Sequence, residues 1–523
     1  MNETEPSPPH RAGKPIRWWP VIIVFALAAA AWAWVQFFYG VSRQQKNIAW
    51  AQVLIYTLFL LLVWLVALSR MRWRVRLSVT ALVLAAVGFA AVSLRIRGVT
   101  GDLVPVVEWR WSRHALPLPD TNAPVATTKA EVPPAGYPQF LGPNRDGILP
   151  GPVLARDWRT LRPTELWRQP VGAAWSGFVV SGFVAVTQEQ RGEDECVVAY
   201  DLRTGRAIWV QVEKAHFNTT IAGEGPRATP TITVDRVLAL GATGILNCLD
   251  LATGRKLWGK NIIQENNSKV GDWGVSSSPL VVGNLVVVCA GGKQDRNLVA
   301  YDLENGKFIW GAGNTSMDYS SPVLVRLAGT EQILNFTPKG VAAHEVASGE
   351  ILWHHPWKGG HPHIALPIVL PDDRVLISSG YGTGAELVKI TKTNQWTATR
   401  LWKSIRLKSK FANLFHRDGF IYGLDDGIMV CVDAADGSLK WKDGRYGHGQ
   451  MILVRDVLLI MAEGGDVVLV DPSPEALREL TRFKVFHDKT WNPPALAGEY
   501  LLIRNDKEAA CLRLPLVRSQ TGL

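Results

Sequence analysis

Charge is scarce in this chain of 523 residues: Asp, Glu, Lys and Arg make up only 20%, while 47% is hydrophobic. The net charge of +10 is also unevenly placed. Residues 1–114 hold 13 of the 56 Lys+Arg and 4 of the 46 Asp+Glu, which leaves 43 against 42 for the rest. So neutral a remainder excludes nucleic acid as a partner, because such binding rests on many phosphate-neutralising cations. Cysteine is sparse as well, five in all with no adjacent pair. The Gly-x-Ser-x-Gly elbow and the zincin motif are missing. The glycine-dense stretch Gly380–Gly384 lacks the Lys-Ser/Thr tail of a P-loop. Hydrolase, zinc-protease and nucleotide-phosphate chemistry of those kinds have no basis here.

Charge is absent altogether from three apolar runs, Pro20–Tyr39, Ile48–Leu68 and Leu77–Leu94. Each approaches the roughly 20 residues that a helix needs to cross hydrocarbon. Trp18, Trp19, Phe37, Phe38 and Tyr39 flank the first run, as rings at headgroup level do. No small-residue cleavage site follows it, so three retained helices are expected rather than a signal peptide. Lysine and arginine set the orientation. The tail carries Arg11, Lys14 and Arg17, and the second loop carries Arg70, Arg72, Arg74 and Arg76. The first loop holds only Arg43 and Lys46. That places the N-terminus in the cytoplasm of a bacterial inner membrane and the C-terminal four-fifths outside, in the periplasm. Arg95, Arg97, Arg110 and Arg113, after the third run, oppose this bias. The expected domains are an anchor over 1–114, a Pro-rich linker over 115–137 and one large body over 138–523.

That body is repetitive. A strand ending in a small residue leads into an acidic turn, a Gly, and a Trp four residues later. The unit runs from Ala199-Tyr200-Asp201 through Gly205 to Trp209, and from Cys248-Leu249-Asp250 through Gly254 to Trp258. It recurs at Asp302–Gly306–Trp310, Glu345–Gly349–Trp353 and Asp433–Gly437–Trp441. A degenerate copy runs from Ile390 through Asn394 to Trp402, and a late one starts at Asp471. Asp and Gly suit a tight turn, the carboxylate bonding local amides and the Gly adopting positive φ. With two β-rich runs upstream of each turn, a repeat has about four strands in 40–50 residues, the pattern of a β-propeller blade. Trp167 lies in a strand with no blade before it, and the strands around Tyr500–Ile503 and Ala509–Leu514 have no Trp strand after them. Zipping the two together closes an all-β, eight-bladed propeller of four-stranded antiparallel blades; seven follow if the copy at Trp402 is not a blade.

These Asp-x-x-Thr-Gly-x-x-x-Trp repeats resemble those of pyrroloquinoline quinone (PQQ) enzymes. They also resemble those of non-enzymatic relatives such as the propeller lipoprotein of the outer-membrane β-barrel assembly machinery. The opening motif Phe140-Leu141-Gly142-Pro143-Asn144-Arg145-Asp146-Gly147 is similar to that of PQQ-binding-like propellers. So are Gly225–Pro230 and Ser379–Gly384. The resemblance covers Tyr137 to the C-terminus and implies the fold; that fold hosts enzymes and scaffolds alike.

Three groups of residues could carry function. Cys248, Cys431 and Cys511 occupy the slot held elsewhere by Ala199, Ala300 and Ala343, so they are expected to be buried packing residues. Residues just before the Ser-Ser-Pro-like starts of the inner strands should face the ring axis. They are Arg227, Trp273 to Ser276, Asp318, Tyr319, His361, His363, Lys410, Phe411, His448 and Trp491. Of these, Arg227, Trp273, Tyr319, Lys410, His448 and Trp491 could stack and pair a flat anionic ligand. Asp272 and Asp318 are the candidates for a Ca²⁺ ligand and a general base. Finally, His354, His355, His361 and His363, broken by Pro356 and Pro362, read as a solvated loop. The leading expectation is a binding or scaffolding module for a ligand or protein partner at the funnel. The rival is a membrane-bound PQQ-dependent alcohol or sugar dehydrogenase, passing electrons to membrane quinone. The residues themselves fix no cofactor; the resemblance makes PQQ with Ca²⁺ the one to test.

Overall fold

The structure is a computed structural model that describes residues 15–39, 42–112, 116–121, 132–359 and 362–517. The chain divides into two compact units, Met1–His114 and Ala115–Leu523. His361, Arg11, Lys14 and Arg113 lie outside the described residues, as do residues 115 and 122–131 of the Pro-rich stretch.

In the first unit, α1 (Trp19–Phe37) and α2 (Arg43–Val63) precede a π-helical turn, Trp64–Leu68, and α3 (Trp73–Ser93). All three helices are long and apolar enough to cross a membrane. Most of their leucines, valines and phenylalanines point outward, whereas Val35 is buried. α2 starts earlier than the charge-free run because Ser42 and Gln45 form a reciprocal capping box that begins the helix at Arg43. A hairpin of β1 (Leu94–Val99) and β2 (Pro105–Trp109) follows α3 without a break.

The second unit is a ring of eight sheets, with strands in sequence order from the axis outward. Blades 1 to 7 span 179–213, 231–261, 280–312, 323–356, 368–404, 415–445 and 450–484. Blade 8 takes three strands from 495–513, and its outer strand is β3 (Thr164–Pro170), which pairs antiparallel through Trp167↔Cys511. Seven blades are excluded, since the degenerate repeat forms a full sheet with Trp402 opposite Leu387. The largest apolar cluster joins blades 7, 8 and 1, at the closure.

The repeat motif explains how neighbouring blades bond. Asp250 Oδ1 accepts from Thr253 N (2.8 Å) and Oγ1 (2.6 Å), closing a turn that places Gly254 at φ +71°. The Trp209 ring of blade 1 lies flat against that Gly, and its indole N–H donates to Leu251 O (2.9 Å). The same bond recurs from Trp167 to Leu202 O, Trp258 to Leu303 O, Trp310 to Val346 O and Trp402 to Ala434 O. Trp353 faces the blade that lacks the Gly, and donates instead to Gln332 Oε1 (2.6 Å) in its own sheet. Cross-strand from these tryptophans sit Ala199, Cys248, Ala300, Ala343, Cys431 and Cys511. A small side chain there leaves room for the indole. All five cysteines are buried and free.

Candidate functional site

The Ser-Ser-Pro-like triplets bond the inner strands into a girdle. Gly177 N donates to Thr229 Oγ1 (3.1 Å), Thr229 N to Ser278 Oγ (2.9 Å) and Ser278 N to Ser321 Oγ (2.8 Å). Ser320 Oγ reaches Ala365 O (3.2 Å), and Leu366 N reaches Asn413 Oδ1 (2.8 Å). Gln450 Nε2 donates to Phe411 O (3.2 Å), Trp491 Nε1 to Glu463 Oε1 (2.9 Å) and Asn492 Nδ2 to Ser176 O (2.8 Å). Each blade therefore satisfies a polar group of its neighbour at the axis, where an unpaired one would be costly.

One end of the axis is plugged. The opening motif crosses it, with Ile232 N donating to Pro138 O (2.7 Å) and Leu453 N to Gly147 O (2.8 Å). Arg145, 2% exposed, donates to Ser278 O (2.5 Å), Pro279 O (2.9 Å) and Gln139 Oε1 (3.2 Å). Burial pulls its guanidinium down to about 9. Phe140 of this segment forms part of the wall of an axial cavity of about 130 Å³. Trp175, Trp273, Tyr319, Phe411 and Trp491 add their rings to that wall. Trp491 packs on Trp175 (5.0 Å) and Phe411 (4.8 Å), and Trp273 meets Tyr319 edge-on (5.4 Å). Lys489 Nζ lies 4.0 Å from the Trp491 ring centre and 4.5 Å from that of Trp175. Gln450, 7% exposed, keeps Oε1 without a partner, so a buried acceptor is available at this cavity.

Of the six residues expected to bind, Arg227, Trp273, Tyr319 and Trp491 line the cavity. Lys410 is buried, with its ammonium over the Tyr381 ring (5.0 Å), and buried His448 packs edge-on to Phe411 (5.8 Å). Arg227 turns its guanidinium onto backbone carbonyls, Ala222 O and Gly223 O at 2.8 Å each, and also Gly225 O. Burial lowers its pKa to about 9, against the opposing pull of Glu195. Burial likewise pushes the Tyr319 phenol up to about 12. Asp272 is exposed, and its backbone carbonyl accepts from Thr219 Oγ1 (3.0 Å). Asp318 is committed: Oδ1 accepts from Tyr319 N (3.1 Å) and His363 N (2.9 Å), and Oδ2 bonds His363 Nδ1.

His355 and His363 are not solvated, and His354 lies exposed in a strand rather than a loop. His363 has no exposed surface and stacks on Phe336 (4.5 Å); His355 is buried against Glu386 (2.9 Å). Adjacent His354 and His355 lie in the outer strand of blade 4 and face opposite sides of it. Sequence reasoning also missed Trp175, Lys489 and Gln450. Aligning Trp175-Ser176-Gly177 with the later Ser-Ser-Pro starts would have found the first.

The sequence profile of a family described as outer membrane protein assembly factor BamB matches residues 158–329, 194–443 and 338–479. The chain belongs to this family of PQQ-like propellers. No curated protein matches it. Among solved structures, this PQQ-like propeller is similar to BamB from Moraxella catarrhalis, at 14% identity over 67% of this chain and 98% of that one (TM-score 0.49). It is also similar to quinohemoprotein alcohol dehydrogenase from Comamonas testosteroni, at 10% identity over 74% and 82% (TM-score 0.44). A europium-containing methanol dehydrogenase is 12% identical over 71% and 89% (TM-score 0.45). At these identities the likeness concerns fold alone.

The axial residues of this PQQ-like propeller do not fit PQQ with Ca²⁺. A cavity of 130 Å³ is comparable to one of roughly 150 Å³ that accepts a single benzene ring, whereas PQQ is a fused tricycle. The guanidinium nearest the cavity is turned onto carbonyls, and Asp318 is taken up by His363. Among the described residues no group of three or more His, Cys, Asp or Glu is arranged to hold a metal ion.

Proposed function

We propose that this PQQ-like propeller is a membrane-anchored binding or scaffolding module. Its three helices sit in the inner membrane with the N-terminus cytoplasmic, and the propeller lies in the periplasm. The funnel, plugged at one end by the opening motif, receives one flat or aromatic group of a partner protein at the other. The observation that carries this reading is the aromatic cavity itself. Five aromatic residues and Phe140 surround a single-ring volume, and Gln450 Oε1 is left to accept a donor from the guest. Apolar walls with a few convergent polar groups are the usual make-up of a recognition pocket. A large aromatic anchor in such a pocket is what dominates a protein interface.

The test uses the full chain in nanodiscs. A photocrosslinking amino acid at Phe411 should give an adduct in cells that is lost on Trp491→Ala, with the purified variant unfolding as the parent does. PQQ with Ca²⁺ should give neither a saturable quinone absorbance nor dye reduction. Dye reduction that Arg227→Ala and Trp491→Ala abolish would overturn the scaffold reading in favour of the dehydrogenase.

A further inference from the structure

The hairpin that follows α3 is amphipathic in the reverse sense of a water-soluble sheet. Its register pairs Arg95 with Glu108, Ile96 with Val107 and Leu94 with Trp109. Successive side chains alternate between faces, so one face carries Arg95 and Glu108, the other Ile96, Val107 and Trp109. The charged face is the covered one. Arg95 Nη2 lies 2.8 Å from Glu108, and the Arg95, Arg97 and Glu108 side chains are 32%, 6% and 17% exposed. Ile96, Val107 and Trp109 are 51%, 52% and 48% exposed. Water around this hairpin would favour the opposite arrangement.

Both ends of the hairpin are tied to helix termini. At the base, Arg110 N donates to Ser93 O (2.9 Å), and its guanidinium reaches Ala91 O (3.2 Å) and Leu94 O (3.1 Å). These are the last carbonyls of α3, where a cation is favoured. At the turn, Asp102 O accepts from Asn47 Nδ2 (2.8 Å), and the Asp102 carboxylate pairs with Arg43 (3.5 Å), in the first turn of α2. In a three-span anchor, the start of α2 and the end of α3 emerge on the same side of the bilayer. A hairpin fastened to both lies across the helix ends at headgroup depth. Trp109 and Trp111 stack there (5.8 Å), as belt indoles do.

We propose that this hairpin is an interfacial membrane element, its Ile96–Val107–Trp109 face seated against phospholipid at the headgroup–acyl boundary of the outer leaflet. It extends the lipid-facing surface of the helices and turns Arg95, Arg97 and Arg110, three of the arginines that oppose the loop-charge bias, into ion-paired or capping groups. The inference rests on the reading that the helices span a bilayer, and its test separates the two.

Because the native cysteines are all buried, an environment-sensitive thiol dye can be placed on Val107→Cys, Ile96→Cys, Leu84→Cys or Val234→Cys in the full chain, in phosphatidylcholine nanodiscs. Leu84 reports the middle of α3 and Val234, 97% exposed, reports water. Positions 96 and 107 should be blue-shifted relative to 234, quenched by lipids spin-labelled near the headgroup, and several-fold less sensitive to iodide. If 107 is quenched by iodide as strongly as 234 while 84 responds to deep spin labels, the helices span and the hairpin proposal fails. If 107 is shielded from both quenchers, protein covers the face and lipid is the wrong partner. If 84 itself responds to iodide, the spanning reading falls and takes the hairpin with it.

Discussion

Glu195 shows how much one side chain can be made to carry. Its carboxylate is buried, with Oε1 accepting from Ala242 N (2.7 Å) and Oε2 without a partner. Burial pushes its pKa up to about 7, opposed by that amide and by Arg227. A carboxyl whose folded pKa lies above its unfolded value near 4.5 binds protons more tightly when folded. The stability it confers is therefore present at low pH and lost as pH rises through the interval from 4.5 to about 7. Glu195→Gln should accordingly stabilise the propeller at pH 8 by on the order of 1–3 kcal/mol and leave it nearly unchanged at pH 5. Urea midpoints at the two values measure this; an equal effect at both would refute it. Nothing in the sequence marked this residue, because its environment is made by Gly241 and Ala242 of the next blade. The cysteines were legible for the opposite reason. Their slot is set by a local cross-strand pairing that recurs with Ala in the same place.

At the scale of the blade, the Gly of each Asp-to-Gly turn answers two demands, and substitution can separate them. Gly254 has φ +71°, and a Cβ there would come 2.5 Å from the Trp209 ring. Gly419 has φ +83° with open space around it. Gly419→Ala should cost only the backbone strain, about 1 kcal/mol, and Gly254→Ala about 2–4 kcal/mol because the indole must also move. Unfolding midpoints of the two variants check the difference. This part of the fold could be read directly from sequence, since Asp, Gly and Trp act within one repeat and its neighbour. The blade at Trp402 was ambiguous because it forms its hairpin without that Gly, lengthening both outer strands to Gly384–Lys392 and Trp396–Ser404. The histidines were misread for a related cause. The prolines around them suggested solvent, yet His355 lies within a strand, and His363 finds Asp318 across a separation of 45 residues.

For the molecule as a whole, the plug decides which side of the ring can bind anything. Arg145 fastens it through carbonyls of blade 3, and Gly147 fits under Phe415 of blade 6. Arg145→Ala takes the guanidinium donor from buried Ser278 O, while Pro279 O keeps Thr231 Oγ1 (2.7 Å), and should cost about 2–4 kcal/mol. Arg145→Met restores volume without the donors and should recover only part of that, as read from urea unfolding of the full chain. The axial column predicted from sequence delivered four of its six binding positions to one cavity, because the inner strands all start alike. It could not foresee that Arg227 would be spent on its own loop, or that Phe140 would arrive from the plug.

The borrowed outer strand of blade 8 also imposes an order of events. Arg168 meets Glu508 across 340 residues of chain, so the Trp167 strand is synthesised long before its partner exists. At roughly 5–20 residues per second, that interval is on the order of half a minute. Throughout it, blade 1 has no neighbour on its Trp167 side, and Gly205 waits uncovered for its indole. The ring is thus the last thing to form, and a chain cut short by even its final two strands would emerge as an open arc with an unpaired edge. That late seam is where quality control has its longest view of an unfinished molecule.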